Sequence, residues 1–316
     1  MFRRSGWVSI GLVVATLGAV TASSCTGSRS DTVSTESTPN SSNDQSTVPE
    51  PVDSTSPSTV PTPTTNATTT TVAPEPVWQE QFDGPQGASP DPATWSFETG
   101  GDGWGNEQLQ YYTKEAAVLD GAGNLVITSQ PSVADLPCWY GTCQFESARL
   151  TTFGTFAQQY GHFETRLLLP GGRATWPAVW MMGANRYQVG WPQSGELDIV
   201  EHVGRDDGAI SGAAHGPGYS GEDAISGDAD VDPDQFHVYA IDWSPERVIW
   251  SVDGEPFHQL TKDDVDEWVF DQPFFVLITL AVGGTHAGEP RKSDQKPQQL
   301  VVDYVRVYAD PQLGQL

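Results

Sequence analysis

The chain has 316 residues, with 41 acidic against 15 basic side chains, a formal net charge of −26 and 37% hydrophobic residues. That balance excludes nucleic acid, whose phosphates need lysine and arginine, and it excludes anionic membrane surfaces. Uncharged or cationic partners remain, and eleven tryptophans suit either an aromatic core or platforms for stacking rings.

At the amino end, Arg3 and Arg4 precede an apolar, uncharged run from Gly6 to Ala22, which reads as an export leader. A stop-transfer helix needs roughly 20 strongly apolar residues, whereas this run is short and rich in Gly, Ala and Thr. It closes on Ala22-Ser23-Ser24-Cys25. Small residues before a cysteine resemble a bacterial lipobox, which would make Cys25 the lipidated first residue of the mature chain. Ordinary signal cleavage is the alternative, because Ala22 stands where lipoboxes favour leucine. The expected location is extracellular, anchored to the outer face of a bacterial membrane through Cys25 or otherwise secreted.

Residues 26–76 are Ser, Thr, Pro and Asn with almost no large apolar side chain. Nothing there offsets the entropy of ordering, so a disordered tether is expected. About fifty such residues reach roughly 40 Å.

Residues 77–310 form one continuous stretch without a Pro/Ser-rich break, long enough for a single large domain. Within it, period-two segments lie between turn residues: Gly123 to Thr128, His237 to Trp243, Arg247 to Gly254 and Val301 to Tyr308. Many short strands and almost no helical periodicity predict an all-β sandwich or barrel. Trp95, Trp243 and Trp250 fall in strand patterns and are assigned to the core. Setting Cys25 aside, Cys138 and Cys143 predict a disulfide in an oxidising compartment, one that fixes local geometry rather than the whole domain.

The chemistry concentrates in Trp191-Pro192-Gln193-Ser194-Gly195-Glu196-Leu197-Asp198-Ile199-Val200-Glu201-His202-Val203. On a strand Glu196 and Asp198 share a face. Glu201, five residues from Glu196, would fall on the opposite face, where a buried unpaired carboxylate is costly. A bulge at Ile199-Val200 restores it to the side of the other two acids. Retaining glycosidases need two carboxyl groups about 5 to 5.5 Å apart, one to attack the anomeric carbon and one to protonate the leaving oxygen. Asp198 between them is expected to share a proton with Glu196 and split the group's pKa values. The six histidines show no zinc-like spacing, and His202 is expected on the strand surface.

The Glu-x-Asp-x-x-Glu pattern resembles the signature of glycoside hydrolase family sixteen, in its laminarinase-like branch. The likeness extends through Gly105 to Tyr112, Ser147 to Thr152, Tyr160 to Arg166, Trp176 to Trp180, His215 to Gly221 and Val302 to Tyr308. It implies a β-jelly-roll sandwich of two antiparallel sheets with a glucan cleft. It also implies Glu196 as nucleophile, Asp198 as its assistant, Glu201 as acid/base, Trp191 as a sugar platform and His215 as a polar group near the acid/base. Asn106, Arg166 and Trp176 carry over as sugar contacts. Thr285 and His286 stand where related laminarinases read Asn-Trp. Gln81 replaces a glutamate of the family's structural calcium site, leaving Asp303 without its partner ligand, so calcium is not expected and no cofactor is required.

The expected activity is therefore retaining endo-hydrolysis of β-1,3-glucan by double displacement, by a monomer whose partner is the polysaccharide. An endo-hydrolase or transglycosylase acting on mixed-linkage β-1,3-1,4-glucan, or on another β-linked polymer, is the first alternative. A non-catalytic glucan-binding protein is the second, disfavoured because both glutamates are present.

Overall fold

The computed structural model describes residues 74–309. The leader, Cys25 and all but the last three residues of the 26–76 tether lie outside the described residues.

Two large sheets face each other. The cleft sheet has seven antiparallel strands in the order Ile225–Asp230, Ala209–His215, Glu196–His202, Thr175–Gly183, Phe274–Val282, Arg149–Thr151 and Ser96–Phe97. The back sheet has ten, centred on Gly161–Leu168 between Phe236–Trp243 and Gln298–Tyr308. One pair of short strands, Gln110–Tyr112 and Phe145–Ser147, runs parallel; the other ladders are antiparallel. Together they form an all-β sandwich, one of the two architectures the strand pattern predicts, in the jelly-roll form that the resemblance implies. All four period-two segments are strands, with ends shifted by a few residues: Leu125–Pro131, Phe236–Trp243, Arg247–Val252 and Gln298–Tyr308.

Alternation explains the layering. Along Thr175–Gly183, Val179 and Met181 enter the main core, while Trp180 and Met182 form a small apolar floor with Phe275 and Leu277 on the other face. Between the sheets Trp95, Trp243 and Trp250 are buried as predicted. Trp243 meets Phe274 of the opposite sheet edge to face at 5.1 Å, an arrangement aromatic quadrupoles favour. Each such side chain contributes roughly 1.5–3 kcal/mol on burial. The core therefore holds the cleft sheet rigidly from behind and leaves its outer face for other work.

Candidate active site

The outer face of the cleft sheet lines a cleft of about 1000 Å³. Cross-strand pairing sorts its floor into rows. One row runs Arg149, Thr279, Ala178, Glu201, Ser211 and Asp228. The next runs Thr151, Leu277, Trp180, Asp198, Ala213 and Ser226, and a third runs Phe275, Met182, Glu196 and His215. With strands about 4.8 Å apart, six strands make a floor roughly 24 Å wide.

The acids share this floor because the Glu196–His202 strand is bulged. Against Thr175–Gly183 the register jumps from Asp198 opposite Trp180 to Val200 opposite Val179, leaving Ile199 unpaired. On the other side Asp198 pairs with Ala213 and Glu201 with Ser211, so Ile199 and Val200 together face Gly212. Leu197, Ile199 and Val200 all enter the core, and Glu196, Asp198 and Glu201 all line the cleft. Gly212 is required here: a Cβ on it would lie 2.2 Å from the Trp250 ring. That ring in turn donates its indole N–H to the Asp198 carbonyl at 2.7 Å.

Each acid has a distinct neighbour. The Trp176 indole donates to Glu201 Oε1 at 2.9 Å, so the carboxylic proton of Glu201 belongs on Oε2. His215 Nε2 lies 3.0 Å from Asp198 Oδ2 and 3.9 Å from Glu196 Oε1. The Gly221 N–H donates to Nδ1 of His215 at 3.2 Å, which puts the ring proton on Nε2, facing the acids.

Burial pushes all three carboxyls far above the usual carboxylate range. Repulsion from Asp198 raises Glu196 and Glu201 further; His215 and Arg149 pull Glu196 back, and His215 and the Trp176 bond pull Glu201 back. The three cannot ionise together. Of the two glutamates only Glu196 is drawn down by an arginine, Arg149, which favours the first negative charge there and the proton on Glu201.

The cleft gathers most of the residues singled out in the sequence. Trp191 is 47% exposed on its wall, and Asn106 lines it while its carbonyl accepts from the Thr285 N–H at 2.8 Å. Trp176 is placed to hold Glu201, and its ring lies 4.5 Å from that of His286. His215 stands near Glu201, on whose charge it acts, though its nearest carboxyls are those of Asp198 and Glu196. Two expectations need correction. Arg166 lies on the back sheet, pairs with Asp303 at 2.5 Å and covers the Phe236 ring, so it does not reach the cleft. His202 is buried, not on the surface, and its Nδ1–H donates to the Ala209 carbonyl at 2.8 Å.

Sequence reasoning missed Arg149, Trp104, Glu222 and Asp228 as cleft residues. Arg149 is buried, ion-paired with Glu98, and sandwiched between the Trp104 and Trp180 rings at 4.8 and 4.7 Å. A tryptophan among the glycines of Gly100 to Gly105 was the available signal for Trp104, since such a loop cannot bury it by itself.

Among the described residues, Glu196, Asp198 and His215 bring ligand atoms within 4.8 Å of one another, and the first two are candidate catalytic carboxyls. At the position of the family's calcium, Asp303 is engaged by Arg166, and Gln81 by Arg306 at 3.3 Å. Two guanidinium groups do not suit a cation there. The predicted disulfide joins Cys138 and Cys143.

A family model described as glycosyl hydrolases family 16 matches residues 105–306. A β-glucanase of Rhodothermus marinus is 41% identical, over 74% of this chain and 85% of its own length. Glucan endo-1,3-beta-glucosidase A1 of Niallia circulans is 33% identical over 74% of this chain but only 38% of its own length. The laminarinase catalytic domain of Thermotoga maritima superposes with a TM-score of 0.70 at 42% identity, covering 75% of this chain and 98% of that domain.

Proposed function

This chain belongs to glycosyl hydrolase family 16 and is a glycoside hydrolase; on that premise we propose that it cuts β-1,3-glucan internally and with retention. The bulge at Ile199-Val200 carries the reading, because it delivers Glu196, Asp198 and Glu201 to one cleft floor. A floor six strands wide suits the interior of a polymer. The names of the relatives support β-1,3-glucan as that polymer.

Glu196 attacks the anomeric carbon as its carboxylate. The glycosidic C–O bond breaks, and the leaving oxygen takes the proton from Glu201 Oε2. Trp176 keeps Oε1 occupied, which aims Oε2 at that oxygen. Glu201, now ionised, draws a proton from water. The water oxygen attacks the same carbon, Glu196 departs as carboxylate, and the product keeps its β configuration. Asp198, whose Oδ2 lies 3.0 Å from His215 Nε2, limits how much negative charge the group carries at once.

A second reading keeps the mechanism and changes the polymer to mixed-linkage glucan. It is favoured by Thr285 and His286, which line the cleft where related laminarinases carry Asn-Trp. The leader and Cys25 support attachment to the outer face of a bacterial membrane, with the 26–76 tether letting a monomeric domain search a polymer mesh.

Product analysis on laminarin, lichenan and agarose, with proton NMR of the new reducing end before mutarotation, tests the reading. We expect laminarin to be cut fastest, with the β-anomer appearing first. An initial α-anomer signal would sink both retention and the assignment of Glu196.

A further inference from the structure

The segment from Gly100 to Leu109 forms one wall of the cleft and presents Asp102, Trp104 and Asn106 to it. Its backbone is intrinsically unfavourable. Gly100, Gly103 and Gly105 have positive φ, and so do two side-chain-bearing residues, Trp104 at 50° and Glu107 at 55°. Such conformations persist only when surrounding structure imposes them.

The surrounding structure here is the disulfide hairpin of strands Pro137–Cys138 and Gly141–Thr142. The Trp139 N–H donates to the Gly101 carbonyl at 2.8 Å, and its indole N–H donates to the Gln108 carbonyl at 2.9 Å. The Tyr140 hydroxyl donates to the Leu109 carbonyl at 2.6 Å. Both ends of the wall are thus gripped by two adjacent residues. Gly101 sits directly under the disulfide: a Cβ there would lie 2.6 and 2.8 Å from the two sulfurs.

The grip leaves an indole outside. Trp139 is 48% exposed although its polar edge is already used. Its ring lies against Gly103, where a Cβ would meet it at 3.0 Å, and Gly103 stands between the cleft residues Asp102 and Trp104. The ring is therefore the exposed neighbour of a cleft-wall segment, and its bound indole N–H and the closed hairpin hold it in one orientation. A fixed aromatic face next to a sugar cleft binds with little ordering cost.

We propose that the disulfide hairpin is a strap that shapes this end of the cleft, and that Trp139 is the outermost platform for an uncharged β-linked glucan chain. The proposal rests on the glucan reading above and adds where a long chain gains affinity over a short one.

The test uses the full mature chain with Glu196→Gln as a non-cleaving background. Calorimetry measures Kd for β-1,3-gluco-oligosaccharides from trimer to octamer. Adding Trp139→Ala is expected to raise Kd for the longest oligosaccharides about three- to tenfold and to leave the trimer within about twofold. Adding Cys138→Ser with Cys143→Ser should give the same length-dependent pattern by loosening the wall. Because the paired serine variant can fail to fold, the surface substitution Trp139→Ala decides alone in that case. Unchanged Kd for the octamer, or an equal loss for trimer and octamer, overturns the proposal. Hydrolysis of laminarin is measured separately with the unsubstituted chain; its absence would overturn the hydrolase reading while leaving the Kd comparison to judge the strap.

Discussion

The cleft sheet and the back sheet each hold a histidine among carboxylates, and the two groups are wired in opposite ways. On the back sheet His162 is buried, with Nδ1 at 2.8 Å from Asp242 and Nε2 at 3.4 Å from Glu164. Arg306 stands 3.7 Å from the same Glu164, so two acids meet two cationic groups. Burial by itself would lower the His162 pKa, but the bonds to Asp242 and Glu164 outweigh it and lift it to about 9. Burial likewise acts to raise Glu164, and His162 and Arg306 overcome it and hold it low. In the cleft three acids meet His215 and one arginine that Glu98 already engages, and every acid is pushed up. The residue types match, so what separates a structural tie from a reactive site is the ratio of charges to partners. Groups held away from their preferred ionisation are where proton chemistry becomes accessible near neutral pH.

Substitution should break this contrast most sharply in the cleft. Glu196→Gln and Glu201→Gln are each expected to lower kcat by at least about a thousandfold, measured by release of reducing ends from laminarin. Near wild-type turnover in both would remove the carboxylate pair from the mechanism.

The back sheet should respond in stability instead. Asp242→Asn removes one partner of a buried ion pair and is expected to cost about 3 kcal/mol or more, with kcat per folded molecule unchanged. Because His162 is raised in the folded state, its contribution is complete below its ordinary value of 6.5 and is lost as pH rises through about 9. Urea unfolding at pH 6 and pH 10 checks the sign: the deficit of the variant should be large at the first and small at the second.

A smaller effect of opposite sign is expected from Glu196→Gln itself. The Glu196 carboxyl is raised from 4.5 to about 8 on folding, so the wild type is favoured below the first value and loses that advantage as pH climbs to the second. Glutamine has nothing to ionise. The variant should therefore match the wild type at pH 4 and exceed it at pH 8, read from Tm across that range. A variant less stable than wild type at pH 8 would show that the cleft acids are not in conflict.

Much of this was legible in the sequence, for physical reasons that also mark the limits. Alternation exposes strands because one face is apolar, which is why the segments ending at Trp243 and Tyr308 were found. The bulge was legible because Ile199 and Val200 are adjacent apolar residues inside an alternating pattern, and Glu201 had no acceptable place in the core. Arg166 was misjudged because an outward-facing arginine looks the same on either sheet; only pairing puts it beside Asp303. Arg149 and Asp228 share a row with Glu201 through five successive strand pairings, and local sequence carries no trace of such a row. His202 reads as polar and therefore exposed until the Ala209 carbonyl is seen to satisfy it.

Alternation along a strand is a reading frame with two phases, and the doubled step at Ile199-Val200 is a phase shift written into this one. Upstream of it even-numbered side chains face the sugar, as Glu196 and Asp198 do; downstream the odd-numbered Glu201 does. Loss of a single residue at the step would remove the doubled step and leave a regular strand, in which Glu201, then four positions after Glu196, still faces the cleft. Pairing of the same residues without the bulge is what would act as a frameshift: Glu201 would turn among the apolar side chains and His202 would turn into the cleft in its place, exchanging a carboxylic acid for an imidazole without altering either residue. Gly212 beneath the Trp250 ring is the position on the neighbouring strand that both residues of the step face.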